Sequence, residues 1–244
     1  MHDNRRESPL VFIHGSGDSG RVWRSQVDYF GPEQAFAIDL PGHGPRVDTL
    51  PSKVSVLDYA RAARHIIWHE LGLNHPIIAG HSLGGAVALM MGLEYGGDLG
   101  GLILIGTGAR LRVHPDLLEG ARTASDAASR QLKELAFAPG NTDTMLDDML
   151  EEAQTRPTPN MLYRDLTACN VFDCMARLAE ISLPTLIICG TEDRLTPVKY
   201  SQYLHEHIAG SHLRLIPDAG HYVMREQQQQ VNQTIEEWLA APYS

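Results

Sequence analysis

The chain has 244 residues, which is long enough for a full-sized hydrophobic core, and α/β folds of this length are often one domain. Its net charge of −10 argues against a nucleic-acid or anionic-membrane surface, and neither a transmembrane-length apolar run nor a signal-peptide core is present. The three cysteines are odd in number and form no C-x-x-C pair, so we expect reduced thiols in a cytoplasmic protein.

Short apolar runs alternate with helical patterns along the first hundred residues, which is typical of a parallel sheet flanked by helices. The first run, 9–13, leads into His14-Gly15-Ser16-Gly17, followed by a predicted helix over 19–30. Glycines allow the N–H groups of this loop to converge, as an oxyanion hole requires, although an ordinary glycine turn has the same pattern. A second strand over 34–40 ends in Pro41-Gly42-His43-Gly44, and a capping-box pattern then opens a helix over 55–71.

The next apolar run leads into Gly80-His81-Ser82-Leu83-Gly84, which matches the G-x-S-x-G nucleophile elbow. This is a tight strand-to-helix turn that holds a serine in strained backbone space. Side chains at Gly80 and Gly84 would crowd the neighbouring strand and helix. The pattern alone also fits a glycine-rich turn whose serine has no catalytic role. The assignment of a nucleophile therefore depends on finding catalytic partners further along the chain.

After a buried strand over 101–106 the alternation of strands and helices stops. Residues 107–182 contain helical patterns separated by proline-rich breaks and no convincing strand, which predicts an inserted helical cap. The core would then consist of residues 1–106 and 183–244. We expect most apolar residues of the cap to form its own core, and these include Leu117, Leu118, Leu132, Leu135, Phe137, Met145, Leu146, Met149, Leu150, Met161, Leu162, Tyr163, Val171, Phe172 and Met175.

Two further strands each end in a residue that can take part in acid–base chemistry. The strand over 184–190 is followed by Asp193, and Thr196 with Pro197 predicts the N-cap and first turn of the next helix. The strand over 213–216 is followed by His221, and a helix over 225–239 closes the sequence. Both side chains therefore lie at the carboxyl edge of the sheet, where open α/β sheets place their chemistry.

The order Ser82, Asp193, His221 is the order of the catalytic triad in α/β-hydrolases. Glu192 and Asp218 are rival acids, because they lie close in sequence to Asp193 and His221.

Another pair has the spacing of metal ligands. His65 and His69 lie four residues apart on a predicted helix, but no third ligand is near, and a solvated helix face is the better interpretation.

The chain resembles the α/β-hydrolase superfamily with a helical lid, near its small bacterial carboxylesterases. The matching segments extend over nearly the whole chain: His14-Gly15-Ser16-Gly17, Asp39-Leu40-Pro41-Gly42-His43-Gly44, Gly80-His81-Ser82-Leu83-Gly84-Gly85, Gly190-Thr191-Glu192-Asp193-Arg194-Leu195-Thr196-Pro197 and Gly220-His221. The resemblance implies that Asp193 is the acid. It also implies that the backbone N–H groups of Ser16 and Leu83 form the oxyanion hole, supported by the loop residues His14, Gly15 and Gly17.

In one feature the chain departs from the family. Family members usually begin with an antiparallel hairpin, and only eight residues precede Pro9, too few for two strands and a turn. We therefore expect an α/β fold with about six strands, all parallel, and no hairpin, together with an exposed edge strand that favours dimerisation.

The resemblance implies a hydrolase of apolar carboxylic esters that needs no metal and no cofactor, as a monomer or homodimer. Two alternatives remain open. The same fold carries lactonases, carbon–carbon bond hydrolases and lyases, and it also carries ligand receptors that turn over slowly. Dehalogenase chemistry is disfavoured, because in this fold it needs a carboxylate where Ser82 stands.

Overall fold

The computed structural model describes residues 5–123, 134–141 and 161–241. Six strands form one sheet in the order β2-β1-β3-β4-β5-β6, and every neighbouring pair is parallel. The strands are β1 (Leu10–Ile13), β2 (Ala35–Ile38), β3 (Ile77–His81), β4 (Gly101–Ile105), β5 (Thr185–Gly190) and β6 (His212–Ile216). The predicted α/β class, with about six parallel strands and no antiparallel hairpin in the described sheet, is confirmed.

Helices connect the strands and cover both faces of the sheet. The α-helices are α1 (Arg24–Phe30), α2 (Val56–His65), α3 (Leu83–Tyr95), α4 (Pro115–Thr123), α5 (Met161–Val171), α6 (Val198–His207), α7 (Val223–Glu226) and α8 (Gln228–Ala240). Short helices of the 3₁₀ type occur at Gly20–Trp23, Gly96–Asp98 and Met175–Glu180, and a π-helical turn at Ile66–Glu70 extends α2. No helix among the described residues is long and apolar enough to cross a membrane.

Alternation along the strands divides the core into two layers. In β1, Val11 and Ile13 face one layer, while Leu10 and Phe12 face the other, as the two-residue period of a strand requires. The first layer packs against α2, α3 and α6, and the second packs against α1 and α8. All four β1 side chains are fully buried, which is typical of a parallel sheet covered on both faces.

Element boundaries differ from the sequence prediction at two helices. The helix predicted over 19–30 is a 3₁₀ turn at Gly20–Trp23 followed by α1. The helix predicted over 225–239 begins at Val223 and is broken at Gln227, the residue between α7 and α8. Neither difference moves a strand, so the carboxyl edge of the sheet keeps its predicted loops.

The predicted cap, 107–182, includes residues 124–133 and 142–160, which lie outside the described residues, so its extent stays a prediction. Within its described parts are α4 and α5, which contact each other, and no strand of the sheet. Phe137 differs from its predicted place in a separate cap core. It is fully buried in the second layer of the sheet core, where its ring stacks on Tyr222 with ring centroids 5.3 Å apart.

Candidate active site

Ser82 occupies the turn between β3 and α3. Its backbone has φ 53° and ψ −115°, a conformation that a residue with a side chain rarely adopts. Two hydrogen bonds hold the turn: the Ser82 N–H donates to the Ile105 carbonyl at 3.0 Å, and the Thr107 hydroxyl donates to the Ser82 carbonyl at 2.8 Å. The strained serine of the predicted elbow is therefore present, and bonds to the end of β4 and the residues beyond it stabilise it.

Two glycines allow the elbow to pack closely. A Cβ at Gly80 would lie 2.1 Å from the Gly84 carbonyl oxygen, and a Cβ at Gly84 would lie 2.2 Å from the Ile13 carbonyl oxygen. These contacts are with backbone, which cannot move aside. The prediction that side chains at both positions would crowd the elbow is confirmed.

The loops after β5 and β6 bring Asp193 and His221 together. Asp193 Oδ2 lies 2.9 Å from His221 Nδ1, and both side chains are almost completely buried. Because Nδ1 faces a carboxylate, this nitrogen carries the proton and donates it in a hydrogen bond. The imidazole is thereby fixed in the tautomer that leaves Nε2 as the basic nitrogen.

Asp193 receives further hydrogen bonds from the turn that follows it. Its Oδ1 accepts from the N–H groups of Leu195 and Thr196 at 2.9 and 2.8 Å, and its Oδ2 accepts from the Thr196 hydroxyl at 2.8 Å. Burial alone would raise the pKa of Asp193, but its attraction to His221 when the imidazole is protonated and the hydrogen bonds from His221 and Thr196 lower it below its ordinary value. Asp193 therefore stays ionised beside His221.

The prediction for Thr196 as a helix N-cap is wrong. Helix α6 begins at Val198, Pro197 precedes it without a side-chain cap, and the Thr196 hydroxyl bonds Asp193 instead. An N-cap hydroxyl accepts a hydrogen bond from the first helical turn, whereas the Thr196 hydroxyl donates to the Asp193 carboxylate, and hydrogen bonds to charged groups are stronger than those to neutral ones. The rival acids Glu192 and Asp218 are both solvent-exposed, whereas Asp193 is buried against the histidine.

His81 connects the elbow to the histidine loop. Its Nε2 lies 3.0 Å from the His221 carbonyl oxygen, and the two rings have centroids 4.6 Å apart. Burial, with the nearby His221, lowers the pKa of His81 well below its ordinary value, so its ring is neutral and donates through Nε2. Through this contact, the residue that precedes Ser82 touches His221.

The loop after β1 lies against the elbow. A Cβ at Gly15 would lie 3.3 Å from the Ser82 Cβ, so the two backbones approach closely at this glycine. His14 is buried, and its Nε2 accepts from the Leu40 N–H at 3.1 Å while its Nδ1 donates to the Gly15 carbonyl at 2.8 Å. His14 thus holds the ends of β1 and β2 together.

The remaining predicted donor, Leu83, is the first residue of α3. The N–H groups of a helix's first turn have no partner within the helix, and the helix dipole adds partial positive charge there. Leu83 directly follows Ser82 at the start of α3, and Ser16 lies on the β1 loop next to Gly15.

Sequence reasoning missed a buried cluster at this edge of the sheet. Asp165 of α5 is fully buried, and its carboxylate accepts from His43 Nε2 at 2.8 Å and from the Gly17 N–H at 2.7 Å. The Tyr59 hydroxyl donates to its other oxygen at 2.5 Å. A sequence signal existed: Asp165 stands four residues from both Met161 and Cys169, on the buried face of α5.

The histidine pair at 65 and 69 and the three cysteines form no metal-ligand cluster in the part of the chain that the structure describes. His65 and His69 are exposed on α2 and the turn after it, and no group of three potential ligands occurs among the described residues. Cys169, Cys174 and Cys189 are buried free thiols, and burial raises the pKa of each to about 12.

Comparisons with known proteins agree with this fold. The sequence model of the alpha/beta hydrolase family matches residues 10–234. A solved structure described as a thermophilic esterase has a TM-score of 0.83 and 34% sequence identity, and the alignment covers 96% of this chain and 90% of the esterase.

Two curated proteins illustrate the range of its relatives. The pimeloyl-[acyl-carrier protein] methyl ester esterase of Neisseria meningitidis is 30% identical, with 87% of this chain and 86% of the relative covered. A Cronobacter turicensis protein named "Putative carbamate hydrolase RutD" is 29% identical, with 95% of this chain and 91% of the relative covered. These relatives support hydrolase activity on this fold. Because the family model matches more than nine-tenths of the sequence, the chain belongs to the alpha/beta hydrolase family.

Proposed function

We propose that the protein is a serine hydrolase that cleaves carboxylic esters with short-to-medium acyl chains through an acyl-enzyme. The observation that carries the proposal is the buried pair of Asp193 and His221, 2.9 Å apart, beside a serine held in strained backbone at a nucleophile elbow. Ser82, Asp193 and His221 are the proposed triad. No part of this chemistry requires a metal or a cofactor.

Each member of the triad has a role that follows from its surroundings. A serine hydroxyl is a poor nucleophile at neutral pH, so His221 Nε2 takes its proton as Ser82 attacks the ester carbonyl. The same nitrogen then gives the proton to the leaving alcohol, and water repeats the sequence to release the acid. Asp193 stabilises the positively charged imidazole that forms between these steps.

The oxyanion hole is proposed at the backbone N–H groups of Ser16 and Leu83. Negative charge develops on the carbonyl oxygen as the tetrahedral intermediate forms, and each such donor typically contributes about 3–4 kcal/mol in that state. The position of the β1 loop against Ser82 supports this assignment, since Gly15 approaches the serine backbone closely.

The substrate class is inferred from what covers the site. Helix α5, part of the predicted cap, contacts the β1 loop, where Cys169 Sγ lies 3.7 Å from Ser16 Oγ. A helix over the oxyanion hole favours a bounded and mainly apolar pocket over an open groove, so acyl chain length sets specificity. The Neisseria relative is named for a methyl ester, which is a carboxylic ester, and the carbamate of the Cronobacter protein's name is a carbonyl compound that the same triad can attack.

Partners and location complete the proposal. We expect a small-molecule ester as the only ligand, a monomer or homodimer, and a cytoplasmic location.

One kinetic series tests the proposal. The value of kcat/KM is measured for p-nitrophenyl esters from C2 to C16, with Ser82→Ala as the catalytic control and the exposed Ser52→Ala as the matched surface control. We expect a maximum at or below about C8, a steep fall for longer chains, and a loss of several orders of magnitude in kcat for Ser82→Ala only.

The series also separates the alternatives. A maximum at C12 or longer would contradict the bounded pocket. The absence of ester turnover would contradict the proposed function and favour the carbon–carbon bond, lactone or receptor alternatives.

A further inference from the structure

Helix α5 brings a buried carboxylate to the loop that follows β1. Asp165 Oδ2 accepts a hydrogen bond of 2.7 Å from the N–H of Gly17, the residue after Ser16. We propose that Asp165 is a positioning residue of the oxyanion hole, which it serves by fixing the backbone orientation of the Ser16–Gly17 segment. The inference rests on the proposed function, because it assigns the Ser16 N–H to the oxyanion.

The carboxylate is well suited to this role because its surroundings keep it charged. Burial would raise the pKa of Asp165, but the charge of His43 and hydrogen bonds from His43, Tyr59 and Gly17 lower it below its ordinary value. A hydrogen bond from a backbone N–H to an ionised carboxylate is roughly twice as strong as one between neutral groups. The Gly17 N–H is therefore held firmly in one direction.

The bond to Asp165 holds the second half of the turn in the β1 loop. Gly17 has φ 65°, and the Gly15 carbonyl accepts from the Asp18 N–H at 3.3 Å and from His14 Nδ1 at 2.8 Å, so the loop is a tight turn whose first half is held at this carbonyl. The Ser16 N–H belongs to the preceding Gly15–Ser16 peptide, which shares the Ser16 Cα with the Ser16–Gly17 peptide. Without the bond to Asp165 the Ser16–Gly17 peptide can rotate, and this shifts the Ser16 Cα and moves the attached N–H away from the oxyanion. The far side of the turn is tied separately, since the Tyr222 hydroxyl donates to the Asp18 carboxylate at 2.9 Å.

A purely structural role would be to attach α5 to the core, and the preceding residue already does this. Arg164 donates to the Asp48 carboxylate at 2.6 Å and to the Pro41 carbonyl at 3.1 Å. Arg164 and Asp165 thus provide a matched pair on one helix. Both anchor α5, and of the two only Asp165 bonds the β1 loop in the described structure.

The experiment compares Asp165→Ala, Asp165→Asn and Arg164→Met by steady-state hydrolysis of p-nitrophenyl butyrate and by thermal unfolding. For Asp165→Ala we expect kcat to fall about 10–100-fold while KM stays within about threefold of the wild-type value. A misaligned N–H donor no longer stabilises the oxyanion, and this charge develops only in the transition state.

The two other variants separate positioning from anchoring. Asp165→Asn should have a kcat within about fivefold of the wild-type value, since the asparagine amide oxygen can still accept a hydrogen bond from the Gly17 N–H. Arg164→Met should lower the unfolding temperature but leave kcat within about threefold.

Amide hydrogen exchange of Gly17, followed by NMR, gives a readout that does not depend on turnover. We expect the Gly17 N–H to be protected in the wild type and in Asp165→Asn, and to lose protection in Asp165→Ala. This measurement also decides the matter if Asp165→Ala does not fold, because an unprotected Gly17 in the wild type would overturn the inference.

The kinetic outcomes distinguish the inference from the proposed function. A wild type that hydrolyses no ester overturns the proposed function itself. An active wild type overturns only the inference if Asp165→Ala keeps its kcat, or if Arg164→Met loses as much kcat as Asp165→Ala.

Discussion

At the scale of single residues, burial separates the candidate acids that sequence spacing leaves open. Glu192, Asp193 and Asp218 all lie near the histidine in sequence, but Asp193 alone of these three is buried and within hydrogen-bond distance of His221 Nδ1. Removing its charge should leave the imidazolium of the transition state without a counterion.

Substitution of these three acids gives a direct comparison. Asp193→Asn should lower kcat by about 10³–10⁴-fold, because the amide also favours the wrong imidazole tautomer. Glu192→Gln and Asp218→Asn should each lower it by less than about threefold. Steady-state kinetics on one ester checks this, and a larger loss at Asp218 than at Asp193 would move the assignment of the acid.

His43 gives a second residue-scale prediction, on stability and pH. Its Nδ1 lies 3.2 Å from the Pro41 carbonyl and its Nε2 lies 2.8 Å from Asp165, so both nitrogens face acceptors and the doubly protonated ring satisfies both. Burial alone would lower the pKa of His43, but the charge and hydrogen bond of Asp165 and the hydrogen bond to Pro41 raise it above 6.5, against the opposing charge of Arg164.

A group with a raised pKa in the folded state stabilises the fold most below its unfolded-state pKa. The stability advantage of the wild type over His43→Gln should therefore be full below about pH 6.5, and should decline as the pH rises through the folded-state pKa. Urea unfolding from pH 5 to 9 measures it. The exposed His65→Gln is the control, and an advantage that grows with pH would contradict the account.

At the scale of elements, the elbow depends on the close approach of α3 to β1. A methyl group at position 84 would lie 2.2 Å from the Ile13 carbonyl oxygen, whereas one at Gly97, in a 3₁₀ turn, would meet nothing within 4 Å. Replacing Gly84 or Gly97 by alanine therefore makes the same chemical change at a crowded position and at an open one.

Gly84→Ala should destabilise the protein by about 1–3 kcal/mol or more and reduce activity, because the helix start must shift away from the strand. Gly97→Ala should change stability by less than about 0.5 kcal/mol. Thermal unfolding of both variants tests the packing, and equal stability of the two would contradict it.

At the scale of the whole molecule, local patterns were sufficient to predict the sheet. Apolar runs bounded by glycine and proline mark each buried strand, and the G-x-S-x-G pattern marks the turn after β3. The order of Ser82, Asp193 and His221 along the chain also predicts which strand ends must meet. The strand and elbow patterns each lie within a short window, and the order of the three residues can be read directly along the chain, so the sequence alone contains these signals.

The features that sequence did not predict depend on contacts between distant segments. Thr196 has the pattern of a helix cap, but its hydroxyl bonds Asp193, and this choice depends on a carboxylate that His221 holds in place. Phe137 has the pattern of a cap residue, but it packs beneath the sheet against Tyr222. The link from Asp165 to Gly17 joins residues 148 positions apart, so no local window contains it.

The central claim is that Ser82 is the nucleophile, and active-site labelling tests it most directly. The protein is treated with a fluorophosphonate and digested, and the labelled peptide is identified by mass spectrometry. The account predicts one label per chain, on Ser82, complete loss of ester hydrolysis on labelling, and no label on Ser82→Ala. A label on another residue, or a Ser82→Ala variant that still hydrolyses esters at the wild-type rate, would contradict it.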